Sequence, residues 1–216
     1  MTTRQTRQVL RAKFFPVLQA EGFVPDKKMD GVLATRDRGR FHDRITADVY
    51  WVRPRYVQIA VGVRSDDFDE FMAPLDPGWV AGEYAGNLSL RSFEPGADRL
   101  PPGGARKGWA FDGDEPPEAL LDGVVPLLVA TCKHLESVRT PDALADLFRD
   151  HNSGESLRPP YLLAGVFAFA GRCAEVKRIC RAALESREAA MAENVEYSPY
   201  LRTALEAFVA YCDARA

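Results

Sequence analysis

The sequence lacks the motifs that most often identify an enzyme. Its 216 residues contain no GxSxG nucleophile elbow, no HExxH zinc motif, no Walker loop and no dinucleotide-binding glycine fingerprint. Three histidines leave little material for acid–base chemistry or a metal centre. We therefore expect neither a cofactor nor a metal, and we favour a non-enzymatic protein over an enzyme, which is kept as the alternative.

Cysteine is also scarce. The cysteines form no CxxC pair, so the sequence signature of a zinc site or a thioredoxin-like site is missing. All four lie in segments with a helical pattern: Cys132, Cys173, Cys180 and Cys212. Cys173 and Cys180 are seven residues apart and share a helix face, so we expect reduced, small core residues rather than a disulfide.

Long apolar runs are missing too. No run approaches the roughly 18 to 20 residues that a membrane-spanning helix needs, and the longest candidate, 161–170, is too short. The N-terminal residues lead into an amphipathic pattern without the apolar core of a signal peptide. The expectation is a soluble cytoplasmic protein of bacterial type with no membrane association.

The first third of the chain contains a change of hydrophobic period. Apolar residues recur at helical spacing over 3–20, and Gly22 is suited to the left-handed position after that helix. Over 45–51 and 57–63 the period becomes two, as in strands with one buried face. These periods predict an α+β fold in which an antiparallel sheet packs against the first helix and later helices.

The two clearest strands, 44–51 and 56–64, are separated by a short turn sequence around Pro54, which predicts a hairpin. A turn centred on Pro54 places Trp51 opposite Val57, and Val49 opposite Ile59. All apolar side chains of the pair then fall on one face of the sheet, as a correct register requires. Further strands are predicted at 31–38, 86–93 and 109–111.

Everything after residue 114 is helical in pattern, and Pro126 is expected to bend or split the first of these helices. The predicted helices are 119–135, 140–150, 161–170, 174–186 and 198–213. The third and fourth form a helical hairpin with a break at Gly171. We divide the chain into an α+β domain, 1–150, and a helical extension packed on it, 159–216.

Charge is unevenly distributed although the net value is only −3. The first 60 residues hold 12 basic and 6 acidic side chains, whereas the remainder holds 16 basic and 25 acidic ones. The basic part supplies the candidate binding surface on the predicted sheet: Arg36, Arg38, Arg44, Tyr50, Arg53, Arg55 and Tyr56.

Basic and aromatic side chains on a sheet can stack bases or contact phosphates. Aspartates between these residues reduce the positive electrostatic potential of the surface. We therefore do not expect nucleic acid to be the main partner. An ordinary solvent-exposed face is the simpler interpretation.

A long segment, 94–108, is rich in proline and glycine and is predicted to be a loop. Loops of this length are either functional or mobile. Its glycines do not end in the GK[ST] of a phosphate-binding loop. The alternative function is therefore an enzyme of unrecognised type, with a cleft near this loop that gathers His42, His151 or several carboxylates.

The order of short features along the chain is similar to that of a bacterial family. These features are Phe14-Phe15, Glu21-Gly22-Phe23, the strand with Arg36, the hairpin ending in 58–63, then 86–90, Gly108-Trp109 and a helical tail. In this order the chain resembles the bacterial domain of unknown function family 4304 over about residues 7–148, followed by a helical C-terminal extension. That family has no established activity to transfer.

Some proteins similar to this family are thought to act as immunity factors in toxin systems, so the resemblance implies a binding role. Our leading prediction is a non-enzymatic protein-binding or interaction module, with an immunity-type role as one option. The alternatives are the unrecognised enzyme and a weak nucleic-acid-binding sheet. Neither the identity of a partner nor the oligomeric state follows from these patterns.

Overall fold

The computed structural model describes residues 3–29, 31–51, 55–76, 78–82, 85–95, 97, 108–113, 115–151, 159–192 and 199–215. Within this part of the chain, seven helices and a six-stranded antiparallel sheet form the predicted α+β fold. The helices are α1 Thr3–Ala20, α2 Asp66–Met72, α3 Glu118–Ser137, α4 Pro141–His151, α5 Pro159–Phe169, α6 Cys173–Ala192 and α7 Pro199–Asp213. The strands are β1 Val24–Pro25, β2 Val32–Asp37, β3 Phe41–Tyr50, β4 Arg55–Ser65, β5 Ala85–Ser89 and β6 Gly108–Phe111, and a 3-10 helix, Leu90–Phe93, follows β5.

Helix α1 forms because its apolar residues recur every four positions. Leu10, Phe14 and Leu18 are fully buried along one stripe. The helix ends as predicted: Gly22 takes a φ of +81°, and the Phe23 N–H donates to the Leu18 carbonyl at 2.9 Å. This pattern is a Schellman cap, which satisfies carbonyls that the last helical turn leaves free.

Strand β4 is the centre of the sheet. The strand order is β1-β2-β3-β4-β5, and β6 also pairs with β4. Strand β5 pairs with the second half of β4 at Ala60, Val61 and Val63, and β6 pairs with its first half, 55–58. The two short strands therefore follow one another along the same edge of β4, opposite β3.

The β3–β4 hairpin has a register two residues away from the prediction. Val49 lies opposite Val57, and Tyr50 lies opposite Tyr56. The predicted opposition of Trp51 to Val57 is therefore wrong, although residues 52–54 themselves lie outside the described residues. A shift of two keeps every side chain on its predicted face because side-chain direction alternates with a period of two.

The sheet has one buried face and one open face. The buried face carries apolar side chains: Val32, Ala34, Ile45, Ala47, Val49, Val57, Ile59, Val61 and Val63. Helix α1 packs against β2 and β3 on this side and also contacts α3. The open face consists of the alternate residues of β3 and β4, which are half-buried or exposed except for the buried Gly62: His42, Arg44, Thr46, Asp48, Tyr50, Tyr56, Gln58, Ala60, Gly62 and Arg64. Antiparallel sheets commonly present one side to solvent in this way.

Helix α3 continues through Pro126, so of the two expectations for this proline, a bend or a split, the split is wrong. Leu121 and Leu128, on either side of the proline, are both buried and hold the helix against the core. The next helix begins as predicted, because the Thr140 hydroxyl accepts a hydrogen bond from the Ala143 N–H at 3.1 Å.

The C-terminal helices pack on α2. A Cβ atom added to Gly165 of α5 would lie 3.0 Å from the Met72 sulfur and 3.3 Å from Phe208 Cζ. The missing side chain of Gly165 leaves room for the Met72 and Phe208 side chains, which would have to move by a few tenths of an ångström to admit a Cβ. Helices α5 and α6 form the predicted hairpin around Gly171, which has a φ of +72°. The proposed boundary between 1–150 and 159–216 stays a prediction.

Candidate functional site

The seven residues of the candidate binding surface do not share one face. Arg44, Tyr50 and Tyr56 belong to the open face, because they alternate with the buried residues of β3 and β4. Arg36 and Arg38 are instead buried, and Arg53 lies outside the described residues.

Arg55 alternates with Tyr56 and so lies on the opposite side of the hairpin. Its guanidinium lies over the Trp51 ring, 5.4 Å from the centroid, and donates to the Gly113 carbonyl. The expectation that the arginines form one exposed surface is therefore wrong for Arg36, Arg38 and Arg55.

Arg36 and Arg38 converge on Asp43, which is fully buried in β3. Arg36 Nε donates to Asp43 Oδ2 at 3.0 Å, and Arg38 Nε donates to the same oxygen at 2.8 Å. Arg38 Nη2 donates to Asp43 Oδ1 at 2.7 Å. We call these three residues the buried arginine cluster. A carboxylate held by two guanidinium groups compensates charges that would otherwise be costly to bury.

The remaining donors of the cluster reach helix ends. The acceptors are Glu21 O, Cys132 O and Glu136 Oε1 for Arg36, and Val138 O for Arg38, at 2.8–2.9 Å. Glu21 directly follows α1 and Val138 directly follows α3, where free carbonyls and the helix dipole favour a cation. Cys132 lies within α3, and Glu136 accepts with its side-chain carboxylate. The arginines therefore join the sheet to two helices. They hold the fold together and do not present a binding surface.

A signal for this burial is present in the sequence. Arg36 continues the alternation of Val32 and Ala34, and Asp43 precedes Ile45 by two residues. Both charged residues thus fall on the apolar side of adjacent strands. A pair of opposite charges on the buried side of a predicted hairpin indicates an internal ion pair.

Tyr50 and Tyr56 form the most distinctive feature of the open face. They are directly opposite each other in the β3–β4 register. Their ring centroids are 5.0 Å apart and the planes differ by 4°, so the rings are stacked. Tyr50 remains 46% exposed despite this contact. The sequence placed both tyrosines on this face, and the structure brings them into contact.

Beside the tyrosines, Asp48 is paired. Arg7 reaches it from α1 and donates twice, at 3.0 Å from Nε and 2.8 Å from Nη2. This bidentate ion pair neutralises the acidic residue nearest to Tyr50 along β3. Arg44 lies half-buried further along the same strand.

The far end of the open face is a network of charges. His42 Nε2 lies 3.1 Å from Asp66 Oδ1, and Arg64 Nη2 donates to the same oxygen at 2.6 Å. Burial alone would raise the pKa of Asp66, but the hydrogen bond with His42 and the charges of His42, Arg64 and Arg40 lower it below its usual value. His42 lies inside β3, not before the strand as expected.

His151 ends α4 and stacks on Phe93, with ring centroids 3.8 Å apart. Its Nδ1–H donates to the Ser92 carbonyl at 2.9 Å, and the His134 ring centroid is 5.7 Å away. Burial lowers the pKa of His151, and the hydrogen bond to Ser92 only partly opposes this effect. His42 contacts acidic residues elsewhere, so the structure does not join the two histidines in one site.

The two ends of the 94–108 loop are held together by Glu94. This carboxylate accepts from Trp109 Nε1 at 2.9 Å and from Arg91 Nε at 3.1 Å. Arg91 also donates to the Gly108 carbonyl at 2.9 Å. The interior of the loop lies outside the described residues, and so does the cleft that was expected near it.

Within the part of the chain that the structure describes, no three His, Cys, Asp or Glu side chains gather in a way that could hold a metal ion. Among the same residues, none of the helices combines the length and the apolar character needed to cross a membrane.

The chain was compared with protein-family models, with curated proteins and with solved structures, and none of these comparisons finds a match. The fold and the open face define an α+β protein with a half-exposed antiparallel sheet. The resemblance to family 4304, the cytoplasmic location and the protein partner stay predictions.

Proposed function

We propose that the protein is a non-enzymatic binding module that engages a protein partner through the open face, centred on Tyr50 and Tyr56. The observation that carries this proposal is the stacked, partly exposed tyrosine pair. Tyrosine is enriched in the cores of protein interfaces, where it supplies contact area together with a hydrogen-bonding hydroxyl.

The stacking reduces the conformational entropy that the two tyrosine side chains would lose on binding a partner. Each tyrosine is already restrained by its neighbour on the adjacent strand, so little rotamer freedom remains to be lost on binding. A strand also positions a side chain more rigidly than a loop does. A prearranged aromatic pair is therefore suited to be an energetic centre of an interface.

The charges around the pair define the chemistry of the partner. Asp48 is neutralised by Arg7, so the acidic residue nearest to Tyr50 leaves little net negative charge beside the aromatic pair. A complementary surface would present an apolar patch with hydrogen-bonding groups for the tyrosine hydroxyls. This description fits an immunity-type protein that binds a folded toxin, which is the role implied by the resemblance to small bacterial proteins of that kind.

The test uses the full chain as bait in nuclease-treated bacterial lysate, followed by a binding titration with the recovered protein. Tyr50→Ala and Tyr56→Ala should each weaken the measured Kd by about 30-fold or more, the effect of losing an interface hot spot. Val80→Ala is the control, because Val80 is 58% exposed and belongs to the segment after α2, not to β3 or β4. Thermal unfolding of each variant confirms that the fold is intact.

Equal binding by the tyrosine variants and the control would contradict the proposal. A nucleic-acid partner would give a different result, since single-stranded RNA would bind in a gel-shift titration with affinity falling steeply as salt rises. The paired aspartates of the open face argue against that outcome, because they reduce the positive potential that phosphates require.

A further inference from the structure

Two histidines and a phenylalanine meet where α3, α4 and the 3-10 helix Leu90–Phe93 come together. His151, the last residue of α4, stacks on Phe93 with 3.8 Å between the ring centroids. His134, in the last turn of α3, lies at a steep angle to both rings. Its ring centroid is 6.1 Å from that of Phe93 and 5.7 Å from that of His151. We call these three residues the histidine junction.

The hydrogen bond of His151 determines which ring nitrogen takes up a proton. Its Nδ1 lies 2.9 Å from the Ser92 carbonyl, which can only accept, so Nδ1 carries the hydrogen and Nε2 has the free lone pair. Protonation at Nε2 therefore keeps the bond to Ser92 and adds a positive charge to a half-buried ring. The stack on Phe93 does not oppose this charge, because the face of an aromatic ring attracts a cation.

Burial and His134 are what oppose the charge. Burial has the largest effect and lowers the pKa of His151, and the hydrogen bond to Ser92 partly raises it again. The charge of His134 lowers this pKa further, whereas that of Asp150 raises it. Asp150 is exposed and lies 2.8 Å from Arg149, with which it forms an ion pair. Its attraction for a charged His151 is therefore weakened by solvent and by its own partner.

The 3-10 helix and β5 add little to this balance. Arg91 and Glu94, which flank the two residues that contact His151, are paired with each other at 3.1 Å. Strand β5, which contacts α4, contains no charged residue. Two like charges with ring centroids 5.7 Å apart would therefore face each other if both histidines were protonated in the closed arrangement.

We propose that the histidine junction is a pH-dependent contact that joins the end of α4 to the 3-10 helix and opens in mildly acidic solution. When the contact opens, the His151 ring leaves its half-buried position and moves away from His134. The opened form then binds a proton more readily than the closed form does. Histidine ordinarily changes its charge between pH 5 and pH 8, so a decrease in pH over this range favours the opened form.

The opening is a local event. It separates one helix end from a 3-10 helix of four residues, and units of this size can open while the core of a protein stays folded. The contact lies outside the open face of β3 and β4, so this inference is independent of the proposed protein-binding function.

The first test follows the imidazole signals of the full chain by NMR as the pH is lowered. The midpoint of His151 should lie below 6.5, and His134→Gln should raise it because this substitution removes a like charge from an exposed position. His42→Gln is the control and should leave the midpoint unchanged, since His42 contacts Asp66 elsewhere. A midpoint of 6.5 or above, or one that His134→Gln does not move, would overturn the proposal.

The second test measures amide hydrogen exchange in neutral and in mildly acidic solution, expressed as protection factors to remove the intrinsic effect of pH. The reporters are the last turn of α4 and the Glu94 N–H, which donates to the Arg91 carbonyl at 3.2 Å. Their protection should fall by about 3-fold or more at acidic pH, because a shift of one pKa unit corresponds to about a tenfold change in an equilibrium. It should stay constant in His151→Asn, whose amide nitrogen can still donate to Ser92.

The amides of α1 around Leu10 and Phe14, whose side chains are fully buried, are the reference for global unfolding. In acid, the reporter amides should be less protected than these. Equal protection would show that the end of α4 opens only when the whole protein unfolds. An equal decrease in His151→Asn and in the wild type would show that another group is responsible. Either result would overturn the proposal.

Discussion

Arg36 and Asp43 form an ion pair in the interior of the protein, with 2.9 Å between Arg36 Nη2 and Asp43 Oδ2. They are directly opposite each other in β2 and β3, on the face that carries the hydrophobic core. The Asp43 side chain is completely buried and that of Arg36 is 7% exposed. This pair, extended by Arg38, links the sheet to the ends of two helices.

Asp43→Asn should lower the free energy of unfolding by about 3–5 kcal/mol, because it leaves the buried Arg38 guanidinium without its counter-charge and Arg36 with only the half-exposed Glu136 carboxylate. Urea denaturation followed by tryptophan fluorescence measures this change. Asp48→Asn is the matched control, since Asp48 and Arg7 are 42% and 29% exposed and form a pair near solvent. The control should cost less than about 1 kcal/mol. Equal effects of the two substitutions would contradict a structural role for the buried arginine cluster.

Gly108 and Gly123 should respond in opposite directions to alanine. A Cβ at Gly108 would lie 2.1 Å from the Val57 carbonyl oxygen, so β6 would have to move away from β4. Gly108→Ala should therefore destabilise the protein by about 1–3 kcal/mol. Gly123 lies in α3 with nothing within 4 Å of an added Cβ, and Gly123→Ala should stabilise the helix by up to about 1 kcal/mol. The unfolding temperatures of the two variants distinguish these effects. A Gly108→Ala variant that is more stable than the wild type would show that β6 does not approach the Val57 carbonyl so closely.

His151 should make the protein less stable in mildly acidic solution. Burial places the pKa of its folded form below the ordinary value of 6.5. As the pH falls below 6.5, the unfolded chain binds a proton before the native protein does, so the free energy of unfolding decreases until the folded pKa is passed. His151→Gln cannot titrate and should show a shallower decrease between pH 7 and pH 5. Parallel curves for the two proteins would be the contrary result.

The lowered pKa of Asp66 affects the stability of the protein in a lower pH range than His151 does. Its folded form has a pKa below 3.8, so its contribution to stability is complete above pH 3.8 and is lost as the pH falls through the folded value. Asp66→Asn should remove this component of acid denaturation and leave in place the part of the decrease between pH 7 and pH 5 that His151→Gln removes. Urea titrations at pH 2–7 separate the two residues. A change confined to the higher pH range would contradict the assignment.

Phe208→Ala should test how firmly the C-terminal helices are joined to the sheet. Phe208 is fully buried, next to Gly165 and with its ring centroid 5.6 Å from that of Tyr161. Its loss should cost about 3–5 kcal/mol through lost burial and a residual cavity. Because α5 and α7 also contact α2, we expect a single unfolding transition shifted to lower temperature. Two transitions in calorimetry, with only one of them shifted, would show that 159–216 unfolds independently.

Local features of the fold were predictable because they depend on neighbouring residues. The left-handed conformation of Gly22 and the capping hydroxyl of Thr140 follow from residue types at fixed positions relative to a helix end. The alternation in β3 and β4 likewise identified their buried faces. The hairpin register was wrong because the apolar pattern is equally satisfied by a shift of two residues. The continuity of α3 through Pro126 was missed because packing against the core outweighs the local cost of a proline.

The candidate site also combines features that a local pattern predicts with features that depend on distant residues. The period of two was sufficient to place Tyr50 and Tyr56 on one face, but their stacking depends on the register that the pattern left open. The alternation indicates that Arg36 is on the buried side, but one of its acceptors, the Cys132 carbonyl, is 96 residues away and is contained in no local pattern. The sequence alone thus determined the class of fold and the faces of its strands, since these are local periodicities. Only the tertiary structure decided how the internal charges are satisfied, because a buried guanidinium requires acceptors from distant parts of the chain.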